Sequence, residues 1–427
     1  DEEGPWKLLA YLEDTQPPID LGVVTHPSYT LKLMIDRVGT TESETELSEK
    51  LLDLASNALD TWHAHLRNWA QMLIERSEMN FESQAAERTE VLDNFADGLE
   101  YTELDQQVDV SNQLSSLVHI PLRLSENTIS GLKAGLSDAR DEIRVQIQRT
   151  LKQIFVRRLI LTFERRLNDN WNLKAVDFLE QSWDKTHEML MTRVKDTLSR
   201  RREYLLGDSG EIARDLQENR DLLETAIHDP GAMMRLLMLM TQGKVITFDD
   251  RTHRRKMKAT MRMTYIFLAA HQIENQALEE VQEDMLSHLE TAQDKLGKIW
   301  GQSELERLDK AGHTLANLSE NWQQRLSDRI GGENFEKIKN QPLNQLSPSD
   351  HEIVVVGLGS FAQNRLYRDL LLAKISELWV EYLTNVEALR VSVKMEAYGQ
   401  RDPLVAYKGQ ASEMFSHLLS DIRAGVI

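Results

Sequence analysis

Three groups of residues in this sequence have types and spacings that could do chemistry. The first is Ile353–Val354–Val355–Val356–Gly357–Leu358–Gly359–Ser360–Phe361–Ala362. A β-branched run, then Gly-x-Gly-x-x-Ala, then a helix is how a dinucleotide-binding turn begins, the backbone approaching a pyrophosphate at the helix N-terminus. That chemistry needs a second strand ending in an acidic residue, whereas Leu370 to Leu389 is helical in pattern. The other reading is a linker whose glycines allow a sharp turn before the last long helix. The second group is basic: Arg251, Arg254, Arg255, Lys256, Lys258 and Arg262. On a helix all but Lys256 share one face, with Met257, Met261, Thr264 and Leu268 on another. Such a stripe on an acidic chain suits nucleic acid, a ribosome, anionic lipid or an acidic partner. It could equally pair within the chain with Glu279, Glu280, Glu283 and Asp284. The third group is the histidines. His63 and His65 are two apart on a helix and point in different directions. His271 and Glu274 could share a face, and such a lone pair is ordinarily a surface contact. None of the twelve histidines follows a Glu by three residues, so the helical-bundle di-metal pattern is missing and no metal is expected. Nor does Gly-x-x-x-x-Gly-Lys-Ser/Thr occur, so no ATP phosphate loop is expected in this chain.

The elements that must position these groups are helical. Leu47, Leu51, Leu54, Ala55, Ala58, Leu59 and Trp62 recur at helical spacing, with Thr45 or Ser48 as possible caps, and the pattern runs on through Leu66, Trp69 and Leu73 towards Phe81. Ile143, Ile147, Leu151, Ile154, Phe155 and Leu159 define a second long amphipathic helix, and a third spans about Leu173 to Leu206. Gly207–Asp208–Ser209–Gly210 and Pro230–Gly231 are breaks. Val245 to Phe248 is the best candidate for a strand, and helical patterns resume from Arg251. The fold class expected is all-α, with at most a minor strand near 245–248.

The last sixty residues are specific. Leu372, Ile375, Leu378, Trp379, Tyr382, Leu383, Val386 and Leu389 form one apolar stripe. Asp402–Pro403 reads as the N-cap and first position of a further helix, which carries Leu404, Tyr407, Met414, Phe415, Leu418 and Ile422. The product is an antiparallel helical hairpin whose tip displays Tyr398. Its wording, Leu378–Trp379–Val380–Glu381–Tyr382–Leu383, then Leu389–Arg390, then Tyr398–Gly399–Gln400–Arg401–Asp402–Pro403–Leu404–Val405–Ala406–Tyr407–Lys408, resembles the carboxy-terminal helical region of the SecA family across residues 366–423. The start of the chain, with Trp6, Leu9, Leu12, the turn to Leu21 and then Leu51 to Trp69, is similar to that family's helical wing.

The resemblance implies a non-catalytic part of an ATPase that drives preproteins through the Sec channel, with ATP and Mg²⁺ held by motor domains upstream of residue 1. It implies that Tyr398, at the tip of the two-helix finger, contacts the translocating chain, with Gln400, Arg401, Asp402 and Pro403 shaping the tip. The partners implied are the Sec channel, unfolded preprotein and the upstream motor domains, at the cytoplasmic, inner face of the cell membrane. The family usually has glycine and arginine before the tip, where this chain has Ser392 and Glu396. Expected segments are a wing-like 1–71, a helical insertion 72–365 and a finger-like hairpin 366–427. The runner-up is a free-standing adaptor binding nucleic acid or ribosome through Arg251, Arg254, Arg255, Lys258 and Arg262.

Composition limits the alternatives. Without cysteine in 427 residues there are no disulfides, thiolate metal sites or cysteine nucleophiles. A formal net charge of −19 argues against wrapping by DNA. With 41% hydrophobic residues the chain can bury a core, and only 9 prolines leave long helices uninterrupted. No apolar run approaches a membrane span. Beginning at Asp1, with no initiator Met or signal layout, the sequence reads as a part of something longer.

Overall fold

A computed structural model describes residues 4–22, 24–100, 110–248, 255–396 and 403–426. In chain order the elements are α1 (Trp6–Thr15), β1 (Ile19–Asp20), β2 (Thr25–His26), α2 (Tyr29–Val38), α3 (Glu44–Glu100), α4 (Val110–Val118), α5 (Glu126–Lys133) and α6 (Ser137–Leu167). They continue with α7 (Trp183–Leu206), α8 (Glu211–Glu218), α9 (Arg220–Ala226), α10 (Pro230–Thr241), β3 (Gln242–Phe248), β4 (Arg255–Met261) and α11 (Ile266–Ile273). The last are α12 (Leu278–Lys310), α13 (Glu320–Ile330), α14 (Gly332–Ile338), α15 (Pro348–Glu396) and α16 (Pro403–Val426). The all-α class with minor strands therefore holds. Two compact units form, Asp1–Ile19 with Pro27–Ala277 and Asp20–His26 with Leu278–Ile427.

In the first unit α3 is the spine. Residues 40–97 contain neither Gly nor Pro, so the helix runs unbroken for 57 residues. Its middle packs Leu66, Ala70 and Ile74 against Val156, Leu159, Ile160 and Phe163 of α6 and Leu190, Val194 and Leu198 of α7. Farther along, Ala85, Leu92 and Ala96 meet Leu114 of α4, Leu132 of α5 and Ile143, Ile147 and Leu151 of α6. The three- and four-residue recurrence read from the sequence of α6 is thus its buried face. Asn168 ends α6 in the left-handed conformation (φ 51°, ψ 47°), which an Asn side chain tolerates. Just beyond, the Trp171 indole N–H donates to Thr197 Oγ1 (3.0 Å), and that hydroxyl donates to Asp169 Oδ2 (2.8 Å).

The second unit is built on α12 and α15. A cluster of Leu305, Leu308, Leu326, Phe335, Val354, Val355 and Leu358 is its core. The β-branched run 353–356 is helical here, neither a strand nor a linker. Ser347 Oγ accepts from the Asp350 backbone N–H (3.1 Å) and Pro348 occupies the first helical position, so α15 starts ahead of the run, and burial outweighs intrinsic propensity. The second glycine of Gly-x-Gly-x-x-Ala serves a helix crossing instead of a phosphate, and the first, Gly357, makes room for Leu326 of α13. A Cβ on Gly301 of α12 would lie 1.9 Å from the Val355 carbonyl oxygen, and a Cβ on Gly359 would lie 1.9 Å from the Gly297 carbonyl oxygen. Only residues without Cβ allow backbones this close.

The basic region departs from expectation in a second way. The strand expected near 245–248 is present, and it pairs antiparallel with β4 in the register Gln242↔Met261 to Phe248↔Arg255. Arg255–Met261 is therefore a strand, so Arg255 and Lys258 do not lie on the helical face expected for them, and Arg251 and Arg254 lie outside the described residues. Val245, Ile246, Thr247 and Phe248 favour a pleated surface, and pairing with them draws the basic segment into a hairpin. The helix begins only at Ile266. The segment boundaries at 71/72 and 365/366 fall inside the continuous helices α3 and α15.

Candidate polypeptide-contact hairpin

The carboxy-terminal limb of α15 and the whole of α16 form an antiparallel hairpin. Tyr382 of α15 meets Phe415 of α16 edge-on at 5.9 Å, and Trp379 lies 5.4 Å from Tyr382. Near the base, a Cβ on Gly425 would fall 2.5 Å from Lys374 Cε, so the limbs close tightly there. α16 starts at Pro403, whose ring suits a first helical position. Residues 397–402 join the limbs. Tyr398, Gln400, Arg401 and Asp402 lie outside the described residues, and of Pro403 only the backbone is described.

The apolar stripe expected on α15 is only partly covered. Leu389, Val393 and Leu418 are buried, and Leu378, Tyr382 and Val386 are half-buried. Leu372, Trp379 and Leu383 remain exposed, as do Leu366, Leu370 and Val380 on the same limb and Leu404, Val405, Phe415 and Leu419 on α16. Two helices in contact can bury one seam between them; a broader apolar face then stays open.

Of the basic residues, Arg251 and Arg254 lie outside the described residues. Arg255 sits at one end of β4 and is exposed, and Lys258 pairs through its backbone with Val245. Arg262 is mostly buried and committed: it forms an ion pair with Asp215 of α8 and lies 3.5 Å from Glu211 Oε2.

His63 and His65 do have different surroundings. His63 is 6% exposed, and burial together with Arg201, Arg202 and Arg67 lowers its pKa to about 4. His65 stacks on Phe267 (4.2 Å) and meets Trp6 edge-on (5.0 Å). His271 and Glu274 form an exposed surface pair (3.4 Å). Sequence reasoning passed over His26 and His288, which stack at 4.3 Å; burial, His288 and Lys295 lower the His26 pKa to about 4. No spacing in the sequence links residues so far apart. The glycine crossing did carry a signal, the pair Gly297-x-x-x-Gly301 on one helix, against which Gly359 of the other packs. Among the described residues no group of three or more His, Cys, Asp or Glu could hold a metal ion, and no helix is long and apolar enough to cross a membrane.

Residues 29–427 match the family described as SecA Wing and Scaffold domain. A protein translocase subunit SecA from Symbiobacterium thermophilum is 40% identical over 70 residues, 16% of this chain and 8% of that relative. The same-named subunit from Synechocystis sp. is 45% identical over 60 residues, and that from Trichodesmium erythraeum is 43% identical over 60 residues. Each of these last two matches covers 14% of this chain and 6% of the relative. No solved structure matches significantly.

Proposed function

Because the chain belongs to the SecA wing and scaffold family, we propose that it is the non-catalytic helical part of a protein translocase, and that the α15–α16 hairpin is its contact with the polypeptide being moved. The observation that carries this reading is the hairpin itself. Two antiparallel limbs end at Glu396 and restart at Pro403, and the residues between them carry the family-like Tyr398–Gly399–Gln400–Arg401–Asp402–Pro403. Its outward apolar face supplies contact area for a non-native chain, which exposes apolar side chains of its own. In this reading ATP and Mg²⁺ belong to motor domains outside this chain, and the long continuous helices transmit their movement to the tip. The Sec channel and unfolded preprotein are the partners, at the cytoplasmic face of the membrane.

The adaptor reading loses support because Arg262 is taken up by α8 and Arg255 and Lys258 lie on a strand. The test of the preferred reading is Tyr398→Ala in the full-length protein, with preprotein import into vesicles and urea unfolding measured side by side. Import should fall several-fold while the unfolding midpoint stays put, because a hairpin-tip aromatic buries little surface. A variant that unfolds early yet imports normally would make Tyr398 a packing residue and remove the proposal.

A further inference from the structure

A cavity of about 550 Å³ opens in the first unit, walled by α1, α2, the end of α10 and the β3–β4 hairpin. That volume lies in the range of small-ligand and side-chain sites. One side is apolar and adaptable: Met238, Met263 and Tyr265 line it, with the exposed Met261 at its mouth. The other side is acidic. Glu13 and Asp14 line it together with Thr30, and among the described residues no Lys, Arg or His does. Thr30 is 3% exposed, and neither its Oγ1 nor Glu13 Oε2 has a hydrogen-bond partner, although both are shut off from solvent.

Buried polar atoms are ordinarily paired, and a buried carboxylate is ordinarily matched by a cation. Here the fold brings the Glu13 and Asp14 carboxyls to one end of an apolar cavity with only the hydroxyls of Ser28 and Thr30 beside Glu13, and no cation among the described lining residues. Burial raises the Glu13 carboxyl pKa, with the nearby hydroxyls of Ser28 and Thr30 and the Asp14 charge as smaller influences. A donor brought in from outside, and above all a cationic one, would relieve that cost.

We propose that this cavity binds an apolar chain bearing a cationic amino or guanidinium group, which donates to Glu13 and Thr30 while the apolar part lies along the methionines. Two sources carry that chemistry: a peptide segment with Lys or Arg beside apolar residues, and a free alkylamine. The peptide source rests on the translocase reading above; the alkylamine source does not.

The experiment uses the whole chain and two probes, decylammonium and a capped Leu-Leu-Lys-Leu-Leu peptide, with decanol and the Glu-centred peptide as controls. Titration calorimetry should show saturable binding of at least one cationic probe, about tenfold or more tighter than its control. Glu13→Gln and Thr30→Val should each weaken binding about tenfold with the circular dichroism spectrum unchanged. The methyl resonances of Met238, Met261 and Met263 should shift on addition of the probe to the unmutated protein, a readout that survives if a variant fails to fold. Binding of the peptide alone assigns the site to polypeptide, and binding of decylammonium alone assigns it to small amines; either supports the site. Equal binding by the controls, undiminished binding by Glu13→Gln, or no methionine shift with either probe overturns it. Failure here leaves the Tyr398 import assay untouched, so the two readings fall separately.

Discussion

Replacing Gly301 by Ala tests the crossing on which the second unit is built. The added methyl carbon would sit 1.9 Å from the Val355 carbonyl oxygen, 2.8 Å from its carbon and 2.9 Å from the Gly359 nitrogen. Non-bonded carbon atoms rest about 3.5–4.0 Å apart, so α12 and α15 must separate by roughly 1 Å or more. Overpacking of this kind typically costs about 1–3 kcal/mol. Against it stands the intrinsic preference for Ala over Gly inside a helix, about 1 kcal/mol. The backbone atoms that are struck cannot swing aside as a side chain could, so the steric cost falls in the upper part of that range, and the second unit should lose up to about 2 kcal/mol. Gly297 on the same helix is the internal control. A Cβ there meets only Gln363 Oε1 at 3.8 Å, so Gly297→Ala should be neutral or stabilising by up to about 1 kcal/mol. Gly359→Ala strikes the Gly297 carbonyl oxygen and should resemble Gly301→Ala. One separation of the helices relieves both clashes, so the double variant should cost less than the sum of the singles. Urea unfolding can be followed by Trp322, which stacks on Phe361 at 4.4 Å within this unit. If Gly301→Ala unfolds at or above the wild-type midpoint, or Gly297→Ala is destabilised equally, close backbone approach is not what these glycines provide.

Two further outcomes are expected beside the Tyr398 and Glu13 tests. His26 and His63 have native pKa values near 4 against an ordinary 6.5, so the unfolded chain takes up their protons first as pH falls. Stability is full above about pH 6.5 and is lost towards pH 4, by about 2 kcal/mol per histidine at pH 5. Unfolding midpoints at pH 7 and pH 5 check this, and His63→Gln should flatten the dependence of the first unit; an unchanged slope would mean that His63 titrates normally. Thr197→Val leaves the Trp171 indole N–H without an acceptor and takes a donor from Asp169, which should cost about 1–3 kcal/mol, while Thr197→Ser should restore most of it. Equal loss in both variants would shift the cause from the hydroxyl to the methyl group.

Legibility in the sequence followed the range over which each signal acts. The buried face of α6 could be read from Ile143 to Leu159 because its partners lie across one helix contact and its periodicity is local. The hairpin limbs were legible for the same reason, and Pro403 marked where the second one begins. The basic segment was not. Its helical spacing was accidental, and its conformation is set by pairing with Val245 to Phe248, a contact no window over Arg255–Arg262 contains. Val354 and Val355 fail in the opposite direction, since β-branched residues were pulled into a helix by the core around Leu326 and Phe335. Exposure along α15 was also illegible. An apolar stripe announces that something covers it, and Leu372 and Trp379 remain open to solvent in this chain.

The glycine crossing and the hairpin belong to one mechanical element. α15 is a single helix of 49 residues, about 74 Å long, and it meets α12 near its start, around Val355 and Gly359. From Gly359 to Glu396 it extends about 55 Å further as one limb of the hairpin. A rigid limb of that length turns a tilt of about 5° at its base into a displacement of about 5 Å at its end, comparable with one turn of helix. Backbone contact at the base sets that angle more sharply than side-chain packing would, because carbonyl oxygens against glycine Cα atoms leave no rotamers to absorb it. The residues that set the direction of this limb are therefore Gly301 and Gly359, at its base and far along α15 from its end at Glu396. Gly359 lies where the sequence had suggested a nucleotide turn or a linker, and its part in positioning the hairpin follows from the same property, the absence of a Cβ, applied to a helix instead of a phosphate.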